Sequence, residues 1–254
     1  MYEQKNNATK SFKPFLFAPF LQKQVRIVKK SSDIFCHDFS CPRHTVFPWM
    51  LAGQYIAVRS EVEGEVVERF YSPITRDNYY GKVDLLVKAA PDGGAMQKFL
   101  HDMKPGMKMD MRGPMGGLDF EVDDENIDKV GMIAGGVGIS PMVQIIRQAL
   151  HEKLSTKMHL MWGVEFEEDL VYREVMEVQA NLHEQLKTTY VVNQPSDSWQ
   201  GERGFISQDV VSRRMFPPGK GVKVVVCGPW KMCQAMKKLL KDMKYTDEMI
   251  FSYM

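Results

Sequence analysis

The sequence lacks the marks of several protein classes. Its 254 residues include only four cysteines, at positions 36, 41, 227 and 233, and their spacing fits neither a disulfide framework nor a zinc site. Cys36 and Cys41 could supply only two of the four thiolates that an iron–sulfur cluster requires. We therefore expect a reducing compartment and no metal site.

Nothing in the sequence commits the chain to nucleic acid or to a membrane. The net formal charge is only +1, so no global field favours a polyanion. The aromatic segment between Phe12 and Leu21 is interrupted by a lysine and two prolines, and it falls short of the ~20 apolar residues that span a bilayer. We expect no nucleic-acid partner, no signal peptide and no transmembrane segment.

The chain does have enough apolar residues, 44% of 254, to form the cores of two domains. An acidic stretch, Asp123–Asp128, separates two halves with different patterns. Consecutive carboxylates at such a boundary indicate a solvated linker rather than a metal site. We predict a first domain over residues 15–124 and a second domain over residues 128–254.

The first half has the pattern of an antiparallel β-barrel or sandwich, because short strand patterns follow one another between turn signals. We predict strands over residues 24–30, 33–41, 54–60, 65–73 and 82–89. One helix is predicted over residues 95–103, where apolar residues recur at helical spacing.

The second half alternates strand and helix patterns, which is typical of an α/β domain with a doubly wound parallel sheet. We predict strands over residues 130–134, 157–163, 188–193 and 222–227, and helices over residues 141–153, 170–183 and 231–241. Ligands of such sheets bind at the carboxyl ends of the strands. Two glycine corners, Gly135–Gly138 and Cys227–Pro229, lie at such ends, so we expect them to share one crevice.

The first of these corners has the pattern of a nucleotide-binding turn. Glycines follow a buried strand, Ser140 is placed to cap the next helix, and Pro141 suits the first helical position. The bare N–H groups and the dipole of such a helix favour a pyrophosphate. The dinucleotide fingerprint wants a third glycine where Pro141 stands, so a glycine-rich connection without a ligand remains the alternative at this point.

The first half contains a second group of candidate residues, in the run Arg69-Phe70-Tyr71-Ser72-Pro73-Ile74. On a strand, Arg69 and Tyr71 share one face. The arginine can pair with a pyrophosphate, the tyrosine can lie against a flat ring, and the Ser72 hydroxyl can donate to a ring nitrogen. An ordinary exposed strand face is the alternative. Gly93-Gly94, before the predicted helix, is a further phosphate corner, and the run Arg112–Gly117 follows a strand pattern.

Taken in order, these runs resemble the ferredoxin–NADP reductase superfamily, and most closely its NADH–cytochrome b5 reductase branch. The resemblance covers nearly the whole chain, from about residue 15 to residue 253, and the ordered set is far more specific than any single run. The runs that carry it are Ala52-Gly53-Gln54-Tyr55-Ile56, Arg69-Phe70-Tyr71-Ser72-Pro73-Ile74, Val87-Lys88, Gly93-Gly94-Ala95-Met96-Gln97, Arg112-Gly113-Pro114, Gly135-Gly136-Val137-Gly138-Ile139-Ser140-Pro141-Met142, Asn193-Gln194-Pro195, Gly204-Phe205-Ile206 and Cys227-Gly228-Pro229-Trp230-Lys231-Met232.

The resemblance implies a flavin-binding barrel followed by a nicotinamide-binding domain. In the barrel, Arg69 would hold the FAD pyrophosphate. Tyr71, which follows Phe70 in the sequence, would flank the flavin ring, and Ser72 would bond near flavin N5. The residues implied to line the pyrophosphate are Gly94, Ala95, Met96 and Gln97. Lys88, after Val87, would lie near the incoming NADH.

In the second domain, the resemblance implies that Ser140 faces the flavin at the corner before Pro141. The residues implied to place the nicotinamide are Gly135, Gly136, Gly138, Cys227, Gly228, Pro229 and Met232. Ser72 and Cys227 are thus the candidate catalytic residues, with Cys227 as a neighbour of the nicotinamide and not as a nucleophile. The hydride chemistry belongs to the cofactors.

A changed phosphate corner and a neutral pair of residues affect the expected cofactors. The family usually shows Lys-Met-Ser where this chain has Ala95-Met96-Gln97, which removes a cation and a hydroxyl from the phosphate corner and puts FAD affinity in question. After the strand over 188–193, Asn193-Gln194 is neutral, where an arginine would favour a 2′-phosphate. We therefore expect NADH, with incomplete exclusion of NADPH.

The function implied is an FAD-dependent NADH reductase that passes single electrons to a haem protein such as cytochrome b5. Lys237, Lys241 and Lys244, in and just after the helix over 231–241, are with Arg213-Arg214 candidates for docking an acidic acceptor. Two alternatives remain, a reductase for an oxygenase or other redox partner, and a nucleotide-binding protein that has lost its flavin. We expect a monomer that is cytoplasmic or associated with the surface of the endoplasmic reticulum or the mitochondrion.

Overall fold

The computed structural model describes residues 18–20, 26–29, 34–40, 50–75, 82–104, 106–118, 120–121 and 124–253. The start of the predicted first domain, Cys41 and Asp123 lie outside these residues. Among the described residues, no helix is both long and apolar enough to span a bilayer.

The first half is antiparallel β-structure with one helix, as predicted. Its elements are β1 (Ala18–Phe20), β2 (Arg26–Lys29), β3 (Ile34–Ser40), β4 (Tyr55–Val62), β5 (Glu65–Tyr71), β6 (Lys82–Lys88), α1 (Ala95–Asp102) and β7 (Met109–Met115). The strands form two sheets, β1-β7-β4-β5 and β2-β3-β6, and no strand pairing joins the two sheets within the described ranges. The helix α1 packs against β4 and β5.

One local prediction in this half is wrong. The run beginning at Arg112 does not follow a strand, because Arg112 to Met115 are the last residues of β7. They pair with β4, which shifts register between Tyr55 and Ala57. A bulge of this kind lets a strand continue through glycine and proline, which otherwise indicate a turn.

The second half is a six-stranded parallel sheet, which confirms the predicted α/β domain. Its elements are β8 (Lys129–Gly135), α2 (Ile139–His151), β9 (Lys157–Val164), α3 (Arg173–Leu182), β10 (Leu186–Val192), β11 (Glu202–Arg203), α4 (Gln208–Arg214), β12 (Val222–Cys227), α5 (Trp230–Asp242) and β13 (Ile250–Ser252). The strand order is β11-β10-β9-β8-β12-β13. The chain adds β9, β10 and β11 on one side of β8 and then β12 and β13 on the other side. The carboxyl ends of β8 and β12 therefore lie side by side.

The two halves share one apolar core at their junction. Ile34, Ile74 and Leu86 of the first half belong to the same buried cluster as Ile139 and Met142 of α2. At the linker, Asn126 donates from its main-chain and side-chain nitrogens to Asp124 Oδ1, both at 2.8 Å, and Ile127 is buried. The predicted linker is therefore only partly solvated, and the relative position of the halves is fixed by packing.

A buried histidine gives the second half a defined acid sensitivity. His159 of β9 is 6% exposed and lies 2.9 Å from the Thr189 hydroxyl of β10. Burial, aided by the charges of Lys187 and Arg214, lowers the pKa of His159 to about 4. The unfolded chain therefore binds this proton at a higher pH than the folded chain does. The folded protein is therefore stable with a neutral His159 above the unfolded pKa of about 6.5, and it loses unfolding free energy as the pH falls towards 4.

We expect wild-type protein to lose about 2 kcal/mol of unfolding free energy through His159 between pH 7 and pH 5. Urea unfolding of wild type and His159→Gln at the two pH values measures this difference. The glutamine variant keeps a polar side chain without a titrating ring, so its loss is expected to be smaller by that amount. Equal losses in the two proteins would contradict the prediction.

Candidate functional site

The glycine corner after β8 continues into α2 through a short turn of 3₁₀ helix at Gly136–Gly138. Gly138 is the N-cap of α2, so Ser140 is already inside the first helical turn, where its hydroxyl donates to Val137 O at 2.9 Å. The predictions that Ser140 caps the helix and that Pro141 opens it are therefore wrong. Pro141 is tolerated at the third position because the N–H groups of a first turn have no helical partner.

The two glycine corners meet, as predicted. A Cβ on Gly138 would overlap the carbonyl group of Cys227, coming within 2.6 Å of its carbon and 2.9 Å of Gly228 Cα. A Cβ on Gly228 would lie 3.1 Å from Gly135 Cα and 3.0 Å from Met232 Sδ. Gly135, Gly138 and Gly228 are thus needed for the packing of one protein segment on another. Because these glycines have no side chain, the two corners pack closely and close the floor of the crevice, which leaves no room for a ligand there.

Gly136 has the opposite character. Its φ is +52°, a conformation that favours glycine, and a Cβ there would meet no atom of the described chain within 4 Å. Its carbonyl oxygen accepts a 2.9 Å hydrogen bond from Trp162 Nε1 of the neighbouring β9. Gly136 is therefore the position of this corner that offers main chain to open space.

Cys227 ends β12 at the same crevice, half-buried beside Gly138 and Pro229. Burial, with a smaller contribution from Cys233, raises the pKa of the Cys227 thiol to about 12. A thiol with such a pKa stays protonated at neutral pH and is a poor nucleophile. This agrees with the prediction that Cys227 is not a nucleophile. Its role beside the nicotinamide remains a prediction.

The end of β5 has the side-chain arrangement that the sequence predicts. Arg69 and Tyr71 share one face, and Phe70, 60% exposed, lies on the other, where its ring meets Tyr55 edge-on at 5.5 Å. Arg69 Nη1 donates to Glu68 O at 2.7 Å. Burial raises the pKa of Tyr71 to about 12 against the opposing charge of Arg69, so the phenol stays neutral. Ser72 is the next residue after Tyr71 in the chain.

The corner before α1 is a capped helix start. Gly94 is the N-cap, and Gln97 Oε1 accepts from Gly94 N at 3.1 Å. Gln97, one of the two departures from the family pattern, therefore serves as a cap. Met96 is only 2% exposed, so its main chain and not its side chain is available to a ligand. A Cβ on Gly94 would meet nothing within 4 Å, and the corner is open.

The residues Val87 and Lys88 divide between core and surface. Val87 is fully buried in the first-half core, whereas Lys88 is exposed at the end of β6. The strand β6 contacts the turn Gly136–Gly138 of the other half. This contact supports the expectation that Lys88 lies near the nucleotide crevice.

An acidic residue that no sequence motif indicated lies at the carboxyl end of β9. Glu165 follows β9, and its carboxylate accepts from Asn193 Nδ2 at 3.0 and 3.1 Å and also from Gln194 Nε2. Asn193 and Gln194 are neutral, as stated from the sequence, but Glu165 adds a negative charge beside them. Glu165 lies two residues beyond the predicted strand over 157–163, at the carboxyl end of that strand. Because ligands of such sheets bind at the carboxyl ends, this position was the signal in the sequence that pointed to Glu165.

Three of the docking candidates on the second half, Arg213, Arg214 and Lys241, form ion pairs. Arg213 pairs with Glu202 at 3.1 Å and with Asp209 at 2.9 Å, and Arg214 pairs with Glu202 at 3.2 Å. Lys241 pairs with Asp247. These ion pairs offset part of the positive charge of this surface, and its docking role stays a prediction.

Comparison with protein-family models assigns each half separately. A family described as an oxidoreductase FAD-binding domain matches residues 22–120. A family described as an oxidoreductase NAD-binding domain matches residues 132–238. The Arg69 strand and the α1 corner lie in the first match, and the glycine corners lie in the second.

Comparison with individual proteins covers nearly the whole chain. NADH-cytochrome b5 reductase 1 of Aspergillus terreus is 35% identical over 245 residues, which are 93% of this chain and 81% of the relative. NADH-cytochrome b5 reductase 2 of Mus musculus is 33% identical over 79% of this chain and 82% of the relative. Among solved structures, the cytochrome b5 reductase domain of Ulva prolifera nitrate reductase superposes with a TM-score of 0.84 at 26% identity, covering 95% of this chain and 100% of that domain.

Proposed function

The chain belongs to the NADH-cytochrome b5 reductase family, and we propose that it takes a hydride from NADH onto FAD and passes single electrons to a haem protein. One observation carries the proposal. Gln144 of α2, the helix that begins at the nicotinamide corner, donates to Pro73 O at 2.8 Å, directly after Ser72. The proposed hydride-donor and hydride-acceptor sites are thereby held on adjoining segments.

The first half offers donors that fit FAD. Arg69 is an exposed cation at the end of β5, and the N–H groups of residues 95–97 have no helical partner in the first turn of α1. Both favour an anion such as a pyrophosphate. The neutral Tyr71 ring can lie against a flat ring, and the Ser72 hydroxyl can donate to a ring nitrogen. When bound, FAD supplies the step from hydride to single-electron transfer.

The second half orients the nicotinamide nucleotide. The turn Gly136–Gly138 leads into α2, and the positive end of the dipole of that helix favours a pyrophosphate at the crevice. Cys227, held protonated, presents a neutral thiol beside the crevice floor. Glu165, bonded to Asn193 and Gln194, provides the acidic group that favours an unphosphorylated ribose, which supports NADH over NADPH.

The proposed activity is tested by an absorption spectrum of the purified protein before and after NADH is added without oxygen. We expect flavin bands that bleach. A colourless protein that binds NADH but not added FAD would instead support the flavin-less nucleotide-binding alternative.

The acceptor is tested separately by comparing reduction of purified cytochrome b5 with reduction of ferricyanide. Ferricyanide reduction without cytochrome b5 reduction would favour a reductase that serves an oxygenase or another redox partner. A monomer that is cytoplasmic or associated with the surface of the endoplasmic reticulum or the mitochondrion is part of the same proposal. Sedimentation and cell fractionation test these two points.

A further inference from the structure

Three polar side chains on one face of α2 cross the junction between the two halves. They are Gln144, Arg147 and Gln148, at positions i, i+3 and i+4, within a helix whose other residues are mostly buried and apolar. Arg147 donates to Ile74 O, and Gln148 Oε1 accepts from Ala52 N at 3.1 Å. These two bonds, like the two that Gln144 makes, end on main-chain atoms of the first half.

Gln144 makes the most central of these contacts. Its side chain is almost fully buried, with the residue 8% exposed. Its amide nitrogen donates to Pro73 O at 2.8 Å, and its amide oxygen accepts from Gly53 N at 3.0 Å. Both ends of the amide are satisfied by two separate loops, so the bonds fix the position of each loop relative to α2.

The same helix face leads to the nucleotide crevice. Ser140 precedes Gln144 by four residues, which is about one helical turn or ~6 Å. The segment that Gln144 holds contains Ser72 next to Pro73, and both Pro73 and Ile74 are buried. A rigid link of one turn therefore runs from the crevice floor to the residue proposed to face flavin N5.

We propose that Gln144 is a positioning residue that sets the distance between the Ser72 segment and the nicotinamide corner. The inference rests on the proposed function. Hydride transfer needs reacting atoms about 3–3.5 Å apart, and a misplacement of ~1 Å can cost about 100-fold in rate. Gln144 acts through main-chain atoms and touches no reacting atom, so its loss affects the rate of hydride transfer more than the binding of either cofactor.

Gln148 provides a matched control. It is the same residue type one turn further along α2 and also bonds a first-half amide, that of Ala52, but it reaches no atom of the Ser72 segment. Its amide nitrogen goes to Glu152 Oε1 within the helix, at 3.1 Å. A general weakening of the junction would affect both glutamines alike, whereas a positioning role is specific to Gln144.

The experiment compares wild type, Gln144→Leu and Gln148→Leu in the FAD-loaded protein. Anaerobic stopped-flow mixing with NADH measures the rate of flavin bleaching and its dependence on NADH concentration. We expect bleaching at saturating NADH to slow about 10- to 100-fold in Gln144→Leu and less than about 3-fold in Gln148→Leu. The NADH concentration for half-maximal rate is expected to change little in either variant.

A second readout does not depend on activity. Amide hydrogen exchange in FAD-free protein is expected to quicken at Gly53 in Gln144→Leu, because that amide loses its acceptor, and to stay slow in Gln144→Glu, which keeps an acceptor. The ionised carboxylate of Gln144→Glu has no hydrogen to donate to Pro73 O, so above the pKa of that glutamate its bleaching is expected to slow as in Gln144→Leu.

The two hypotheses fail in different ways. A wild-type protein that NADH does not bleach would overturn the proposed function. A wild type that bleaches, together with a Gln144→Leu variant that bleaches equally fast or slows no more than Gln148→Leu, would overturn the positioning role alone.

Discussion

Replacing Gly138 with alanine is expected to lower kcat/KM for NADH by at least about 100-fold while the protein still retains FAD. The added Cβ would overlap the Cys227 carbonyl and lie 2.9 Å from Gly228 Cα, and neither neighbour is a flexible side-chain end. The corner after β12 must therefore move away from the corner after β8. Such a displacement at the nicotinamide site costs rate steeply. Ferricyanide reduction over a range of NADH concentrations measures the loss.

The control is the same substitution at Gly219, in the same half, where a Cβ would meet nothing within 4 Å. Gly219→Ala is expected to keep wild-type kinetics. Flavin content and circular dichroism of Gly138→Ala establish that the first half is still folded. Wild-type kinetics in Gly138→Ala would mean that the two corners can separate freely, which would contradict the packing role assigned to this glycine.

Much of this fold could be predicted from the sequence because its central elements are strongly patterned. The strand β12 begins and ends where its apolar run does, at Val222 and Cys227. The helix α2 was predicted two residues late at each end, since the 3₁₀ turn at Gly136–Gly138 starts the helical path before Ser140. Local capping preferences do not detect such a turn.

Several of the missed elements are short and depend on distant partners. The strand β11 has two residues and β13 has three, and both exist through pairing with β10 and β12. The helix α4 has seven residues, held by Val210 and Val211 in the core. Elements of this length have little intrinsic stability, and their tertiary contacts are invisible to a local pattern.

The candidate site divides in the same way. The two glycine corners, Cys227 and the face with Arg69 and Tyr71 could be predicted, because each belongs to a run of neighbouring residues in the sequence. Gln144 could not be predicted, and Glu165 offered only its position after a predicted strand as a signal, since each acts through a partner far away in sequence: Asn193 is 28 residues from Glu165, and Pro73 is 71 residues from Gln144. The glycine motif also concealed two different roles, close packing at Gly138 and open main chain at Gly136.

The carboxylate of Glu165 is the basis of the second prediction. Replacing Glu165 with glutamine is expected to lower the ratio of kcat/KM for NADH to that for NADPH about 10- to 100-fold, mainly by improving NADPH. Glutamine preserves size and hydrogen bonding to Asn193 but removes the negative charge that would repel a 2′-phosphate. A 10-fold change corresponds to about 1.4 kcal/mol, a reasonable value for one charge at a partly solvated corner.

Glu167→Gln is the matched control, because Glu167 is a nearby carboxylate that bonds Ser196 N at 2.7 Å instead of the Asn193 corner. Its ratio is expected to stay near that of wild type. Since solvated charges are screened by salt, the Glu165 effect is expected to shrink as ionic strength rises. A ratio that does not move in Glu165→Gln would mean that the corner reads the ribose through Asn193 and Gln194 alone. Discrimination between the two nucleotides would then depend on shape and hydrogen bonding, with no contribution from the charge.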